Sequence, residues 1–368
     1  MAETRERKRR PSPTPGPLAG IARPSIYWLL IFVPVSAGAA VAHQQVLAFI
    51  TSAIALVPLA ALIGRATEQL AIHIGPQRGG LLNATMSNLT ELIVGGFLVA
   101  AGEFTVVKAT LIGSIVGNAL LVLGAAFAIG GSRHKSMSFS ADAASVHSSS
   151  LLLAVAGLLV PALLVVGTPV GFQEKEVVSV LVAVVLMVMY LAALAFMQIT
   201  HAHLFHVPGR EEHATWSAAI ALAVLAIAAA AVALESELLV SSLRPAIKIL
   251  NVPTVFVGLI FIPVAGNVAE NASAVFFAVR NRLDVTIEIA FGSSTQVALF
   301  VAPLLVFVSL VIGHPMDFIF TGFEIAIVAL AAIIVTLITL DGRTNWLEGV
   351  QLLGAYLVIA ITAYFVVA

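Results

Sequence analysis

Residues 87–98 read SNLTELIVGGFL. Glu91 is the only charged residue in the 23-residue run from Gly80 to Gly102. An ionised carboxylate in hydrocarbon is costly unless something pairs with it. Either this run is not in a membrane, or Glu91 has work to do there.

The rest of the chain decides for the membrane. Of 368 residues, 60% are apolar and 10% are charged, and the mean hydropathy is +1.07. Soluble domains carry about 25% charged residues. Apolar runs long enough to cross a core of about 30 Å as helices recur along the whole length. They are continuous rather than alternating, which argues against a β-barrel. We read eleven spans, at 25–42, 47–64, 80–101, 107–130, 148–168, 177–199, 214–235, 252–279, 286–312, 318–340 and 346–367, joined by short loops. The first 24 residues, charged and proline-rich, form an expected disordered tail. With the N-terminus in the cytoplasm, fourteen Lys and Arg fall on the inner side and four (Lys108, Lys175, Arg244 and Lys248) on the outer. The positive-inside rule favours that topology. The first span, ending in SAGAAVA, also resembles a secretory signal with a cleavage site, although its apolar run is long for a signal core. Cysteine is absent, so disulfides and thiolate metal sites are excluded. No basic, aromatic-interleaved patch points to nucleic acid.

A second intramembrane carboxylate lies in PVAGNVAENASA, residues 263–274. Asn267 precedes Glu270 by three residues, as Asn88 precedes Glu91, at an offset of 179. The same offset carries Gly113 and Ser114 onto Gly292 and Ser293. Spans two to six and seven to eleven are then two units of five. An odd count makes the second unit enter the membrane from the opposite side. The predicted fold is therefore an all-α polytopic membrane protein of about eleven transmembrane helices, one extra N-terminal helix plus two inverted five-helix repeats. Its divisions are a tail (1–24), the extra helix (25–43), the first repeat (44–199), a cytoplasmic linker (200–213) and the second repeat (214–368).

In such folds the substrate site lies near the bilayer midplane at the repeat interface. Two carboxylates facing one another there have two ways to avoid repulsion. They can take up protons, since burial and a like charge both favour the neutral carboxyl. Or they can share a divalent cation, and hard oxygen ligands suit Ca²⁺. Asn88, Asn267, Ser114, Ser293, Gln296 and Asn118 supply further oxygens. Backbone carbonyls are expected to join them where Pro263, Gly266 and Gly95–Gly96 interrupt the helices. Spacings of three and four residues put Asn88 with Glu91, Asn267 with Glu270, and Ser114 with Asn118 on shared helix faces. These segments hold neither Cys nor His, which argues against a softer metal. Protons and a cation that compete for the same two carboxylates are coupled to one another.

The segments GRATEQLAIHIGPQRGGLLNATMSNLTELIVG (64–95), GSIVGNALLVLG (113–124), GNVAENASAV (266–275) and FGSSTQVALFV (291–301) resemble the calcium/cation antiporter superfamily, specifically its calcium/proton exchanger branch. The resemblance covers residues 25–368. It implies that Glu91 and Glu270 are the central cation and proton carriers, the metal ligands among the site residues. It implies supporting roles for Asn88, Asn267, Ser114 and Ser293, and alternating access by two peripheral helices moving against a core. Two departures stand out. SNLTE replaces the family's more frequent GNATE or GNAVE, so Ser87 removes a flexible Gly. The linker HAHLFHVPGREEH is not strongly acidic, as it is in some members. The GTSxPE-like first repeat of the sodium/calcium exchangers is absent.

The expected function is a secondary antiporter exchanging Ca²⁺ for H⁺, with the two ions and the bilayer as partners, no cofactor, no nucleic acid, and the oligomeric state left open. Exchange of Na⁺ or K⁺ for H⁺ is the alternative. A channel would be built from identical subunits or around a pore loop. An intramembrane hydrolase would carry a signature such as HExxH, which is absent. The short loops point to a prokaryotic inner membrane. Outside the site, Glu68 and Glu237 are expected to line access paths or to be solvated at the interface. Glu288 and Glu324 are expected to snorkel to water. His201, His203, His206 and His213 are expected in a solvated linker, and His73 and Arg78 in an ordinary loop.

Overall fold

The computed structural model describes residues 26–167, 171–201 and 214–366. The tail and the linker histidines His203, His206 and His213 lie outside the described residues. The helices are α1 (Ile26–Val41), α2 (Gln45–Ile74), α3 (Pro76–Met86), α4 (Leu89–Ala100), α5 (Phe104–Arg133), α6 (Ala141–Gly167), α7 (Phe172–Thr200), α8 (Ala218–Leu250), α9 (Thr254–Val279), α10 (Leu283–Ile312), α11 (Gly322–Thr339) and α12 (Trp346–Phe365). Nine are long and apolar enough to cross a membrane; the shorter α1 and the broken α3–α4 rod supply the other two spans. Two-residue strands β1 (Met137–Ser138) and β2 (Arg343–Thr344) pair antiparallel and join the loops after α5 and α11.

Most of the packing between the repeats is mirrored. The C-terminal half of α5 packs on α9 and α12, and its counterpart in α10 packs on α4 and α7. The first half of α10 lies on α6, as the first half of α5 lies on α11. Helices α2 and α8, related by the repeat, lie against each other, and α1 covers them. The Ser294 hydroxyl donates to the Ile115 carbonyl, 179 residues away, so a single bond joins repeat-related positions. Both α5 and α10 pass through π-helical turns, Gly117–Val122 and Val297–Val301, at equivalent places. Such turns mark sites where a helix re-aims its side chains.

Several boundaries differ from the sequence reading. The expected loop at 65–79 is helix almost throughout: α2 runs to Ile74, and Gly75 (φ +89°) is the whole turn before α3. His73 therefore ends a helix, bonded to the Trp216 carbonyl at 2.8 Å, and Arg78 lies inside α3. The loop expected after 235 is the second half of α8. Gly266 and Gly95–Gly96 lie inside unbroken helix and free no carbonyls. Pro263, which lacks the N–H that would meet the Leu259 carbonyl, follows a π-helical turn at Val257–Phe261 that absorbs the missing bond. Glu324 does not snorkel: it is 2% exposed, and it accepts from the Thr321 amide and hydroxyl in a capping box that starts α11.

Candidate functional site

The one broken span carries Glu91. The break falls at Ser87–Asn88 with ordinary right-handed backbone (φ −57° and −96°), so it needs no glycine. It starts a new helix, α4, whose first turn contains Glu91. The positive end of a helix dipole thus sits beside the carboxylate. Asn88 occupies the N-cap position but does not cap. Its amide donates instead to the Gln296 carbonyl oxygen at 2.5 Å, and the Ser87 hydroxyl reaches the same oxygen at 3.1 Å. Gln296 therefore ties the broken span of one repeat to the long helix of the other.

Glu270 lies in unbroken α9 and is held differently. The Ser293 hydroxyl on α10 lies close to its carboxylate. The Asn118 amide, in the π-helical turn of α5, donates to the same Ser293 hydroxyl at 2.9 Å. The charges of Glu91 and Glu270 interact directly. Protein encloses both, yet each keeps some accessible surface, the combination expected of groups that line a crevice. Asn267 is buried beside Asn118, Gly117 and Asn271 on a crevice of about 10 Å³, room for one water. Ser114 is buried on α5 and makes no hydrogen bond among the described residues.

The structure thus bonds Asn88 to Gln296 and Asn118 to Ser293 and brings Glu91 near Glu270 and Glu270 near Ser293, while Asn267 lines the crevice and Ser114 is buried on α5. Gln296 and Asn118 lack partners at the 179-residue offset, and they prove to be the cross-repeat links. Asn271 was missed. Its Oδ1 is buried without a partner on the crevice, and its spacing of four from Asn267 was the available signal. Glu235 was missed too. It is 2% exposed on α8 and accepts from Ser36 of α1 at 2.8 Å. Glu237, its near neighbour, is exposed. Among the described residues no three His, Cys, Asp or Glu cluster, so the centre offers two carboxylates. A pair of carboxylates ringed by amide and hydroxyl oxygens can neutralise one divalent cation or two protons.

The two ends of the crevice differ. Near the start of α9, a Cβ on Gly113 would meet the Leu259 carbonyl oxygen at 2.1 Å, and one on Gly258 would meet Ala109 Cβ at 2.7 Å. Here α5 and α9 touch backbone to backbone. The repeat-related interface would join α10 to α3, and no comparably close packing is found there. Gly292, the counterpart of Gly113, has only Glu288 within 4 Å, and α3 rests on α2 and the end of α7. One end is closed backbone to backbone; at the end bearing Arg280 and Arg282 the equivalent close contact is lacking.

The sodium/calcium exchanger protein family model matches residues 44–198 and 220–365. The Ca²⁺/H⁺ antiporter of Aphanothece halophytica is 40% identical over 358 residues, covering 92% of this chain and 96% of that protein. The Ca²⁺/H⁺ antiporter ChaA of Bacillus subtilis is 36% identical over 345 residues, covering 91% and 98%. The solved structure of native YfkE superposes with a TM-score of 0.81 at 32% identity, over 93% of this chain and all of that one. The H⁺/Ca²⁺ exchanger CAX shares the fold, with a TM-score of 0.71 at 14% identity. With its two matched segments, one per five-helix unit, the chain belongs to the sodium/calcium exchanger protein family.

Proposed function

We propose that the protein is a secondary antiporter that exchanges Ca²⁺ for H⁺ by alternating access. The observation that carries the proposal is the placement of Glu91 and Glu270, one from each repeat, near enough for their charges to be felt, with Asn88, Asn118, Asn267, Ser293 and Gln296 on the same helices or on those packed against them. Ca²⁺ bound there displaces protons, because a ligating carboxylate must be ionised. The site is neutral when loaded with either substrate and carries two unbalanced charges when empty. The empty site is then costly to move, and this couples the fluxes. The curated relatives named as Ca²⁺/H⁺ antiporters support the choice of ions. No hydrolytic step and no cofactor enter the cycle.

In this reading residues 44–199 and 214–368 are the moving halves, joined by the linker 200–213, with Ser114 a reserve ligand. The N-terminus is cytoplasmic, the membrane is a prokaryotic inner membrane, and the open end faces the cytoplasm. The test is Ca²⁺ uptake into proteoliposomes under an imposed pH gradient, with Na⁺ and K⁺ as competitors. Uptake driven by the gradient, insensitive to both monovalent ions and abolished in folded Glu91→Gln and Glu270→Gln variants, is the expected result. Gradient-driven Na⁺ or K⁺ flux with inert Ca²⁺ would overturn the substrate; wild-type flux in either variant would overturn the site.

A further inference from the structure

Glu288 sits where the repeat predicts a seal. The offset of 179 carries Ala109 onto Glu288 and Gly113 onto Gly292. In the first repeat Ala109 is 0% exposed, pressed on Gly258, while Gly113 lies on the Leu259 backbone. In the second repeat the same two places are packed less tightly. Gly292 has room around it, and the Glu288 side chain is 47% exposed. The inverted repeat requires the two ends to exchange conformations. When the open end closes, Glu288 takes the place that Ala109 has now, and it must enter dry protein. An ionised carboxylate opposes that step.

One group already holds it. His147 of α6, 3% exposed and stacked on Phe291, bonds Glu288 Oε2 at 2.8 Å. Imidazole is the side chain whose charge changes between about pH 5 and 8. Glu288 lies about 7.5 Å along α10 from its start, between the basic face and Ser293. Thr295, on the same face of α10 one and two turns beyond Gly292 and Glu288, has a buried hydroxyl with no partner among the described residues. The ionisable groups on the neighbouring segments are Asp142 of α6, Glu270 of α9 and Arg133 of α5. Asp284 of α10 itself accepts from the Ser140 amide at 2.7 Å, and Arg78 lies on α3, which the closing movement brings up.

The geometry points to a proton-operated latch at the open end of the crevice: closure there requires Glu288 to be neutralised by a proton shared with His147. Ionised Glu288 holds the crevice open, and a proton taken from water on that face lets it close. The inference rests on alternating access at Glu91 and Glu270, but it concerns a different part of the chain. It makes the state of the transporter depend on the pH of one compartment, apart from proton binding at the centre.

The chain has no native cysteine, so Ser273→Cys, exposed on α9 one turn beyond Glu270 toward the basic face, offers the crevice at that end to a membrane-impermeant maleimide. Labelling without Ca²⁺, scaled at each pH to the rate of a free thiol because the thiolate is the reacting form, is expected to slow about tenfold as pH falls across the range in which imidazole titrates. In Glu288→Ala, which copies Ala109, labelling is expected to be slow at every pH while ΔpH-driven Ca²⁺ uptake persists. His147→Gln is expected to move the transition to lower pH. A wild-type pH profile in Glu288→Ala would assign the dependence to Glu91 and Glu270 and overturn the latch. A flat profile in the otherwise unaltered chain would also overturn it, with Arg78 as the neutralising group. Absence of ΔpH-driven Ca²⁺ uptake in the wild type would instead overturn the antiport reading.

Discussion

Gly113→Ala tests the sealed end directly. An added Cβ would lie 2.1 Å from the Leu259 carbonyl oxygen, 2.7 Å from its carbon and 2.8 Å from Cα, where side-chain carbons stay beyond 3.0 Å. Backbone, not a flexible side chain, is in the way, so α5 and α9 must separate by about 1 Å. Overpacking of this kind costs about 1–3 kcal/mol. If the contact exists only in the state sealed at this end, the cost falls on that state alone and shifts the equilibrium about 5- to 150-fold toward opening. Val106→Cys, whose parent valine is buried against Gly258, supplies the probe. A membrane-impermeant maleimide applied from the face opposite the basic one is expected to label it at least about tenfold faster when Gly113 is alanine. Gly292→Ala, whose Cβ would meet only Glu288 Oε1 at an unstrained 3.9 Å, is the paired control and is expected to cause no such increase. A well-folded Gly113→Ala protein that labels at the parent rate would refute the argument, because the contact would then be no part of the seal.

Gln296→Ala removes the acceptor shared by Asn88 and Ser87, and is expected to weaken apparent Ca²⁺ affinity about tenfold with folding intact, as measured by uptake against external Ca²⁺. If two protons leave for each Ca²⁺ bound, apparent Ca²⁺ affinity should fall by up to about 100-fold per unit decrease in pH, and isothermal titration in buffers of different ionisation enthalpy counts those protons. Thr321→Ala deletes the α11 capping box and is expected to cost about 1 kcal/mol, lowering Tm without changing exchange. Ser36→Ala leaves Glu235 without its hydroxyl and should lower Tm by the equivalent of about 1–3 kcal/mol, a loss that Glu235→Leu in the same chain is expected to recover.

The membrane class, the repeat and the two glutamates were legible in the chain because each leaves a local mark. A lone carboxylate in 23 apolar residues and a fixed offset of 179 need no tertiary information. Gln296 and Asn118 were harder to judge, since their work is done across the repeat interface, where sequence symmetry has nothing to match. Glu235 left no mark at all. It falls at the end of a predicted span, and only the extension of α8 to Leu250 puts it in mid-helix against Ser36.

Hydrophobicity and periodicity act within one helix, so the sequence by itself determined how many rods there are, which residues break their apolarity, and that the halves are inverted copies. What only the tertiary structure decided is where those copies differ. Gly113 and Gly292 occupy equivalent places, yet one lies on a backbone carbonyl and the other beside open space. Asn88 begins a helix while Asn267 lies within one. Two near-identical halves cannot adopt one conformation and still leave a single end of the crevice open. The difference is a property of how the helices pack, which no single helix encodes.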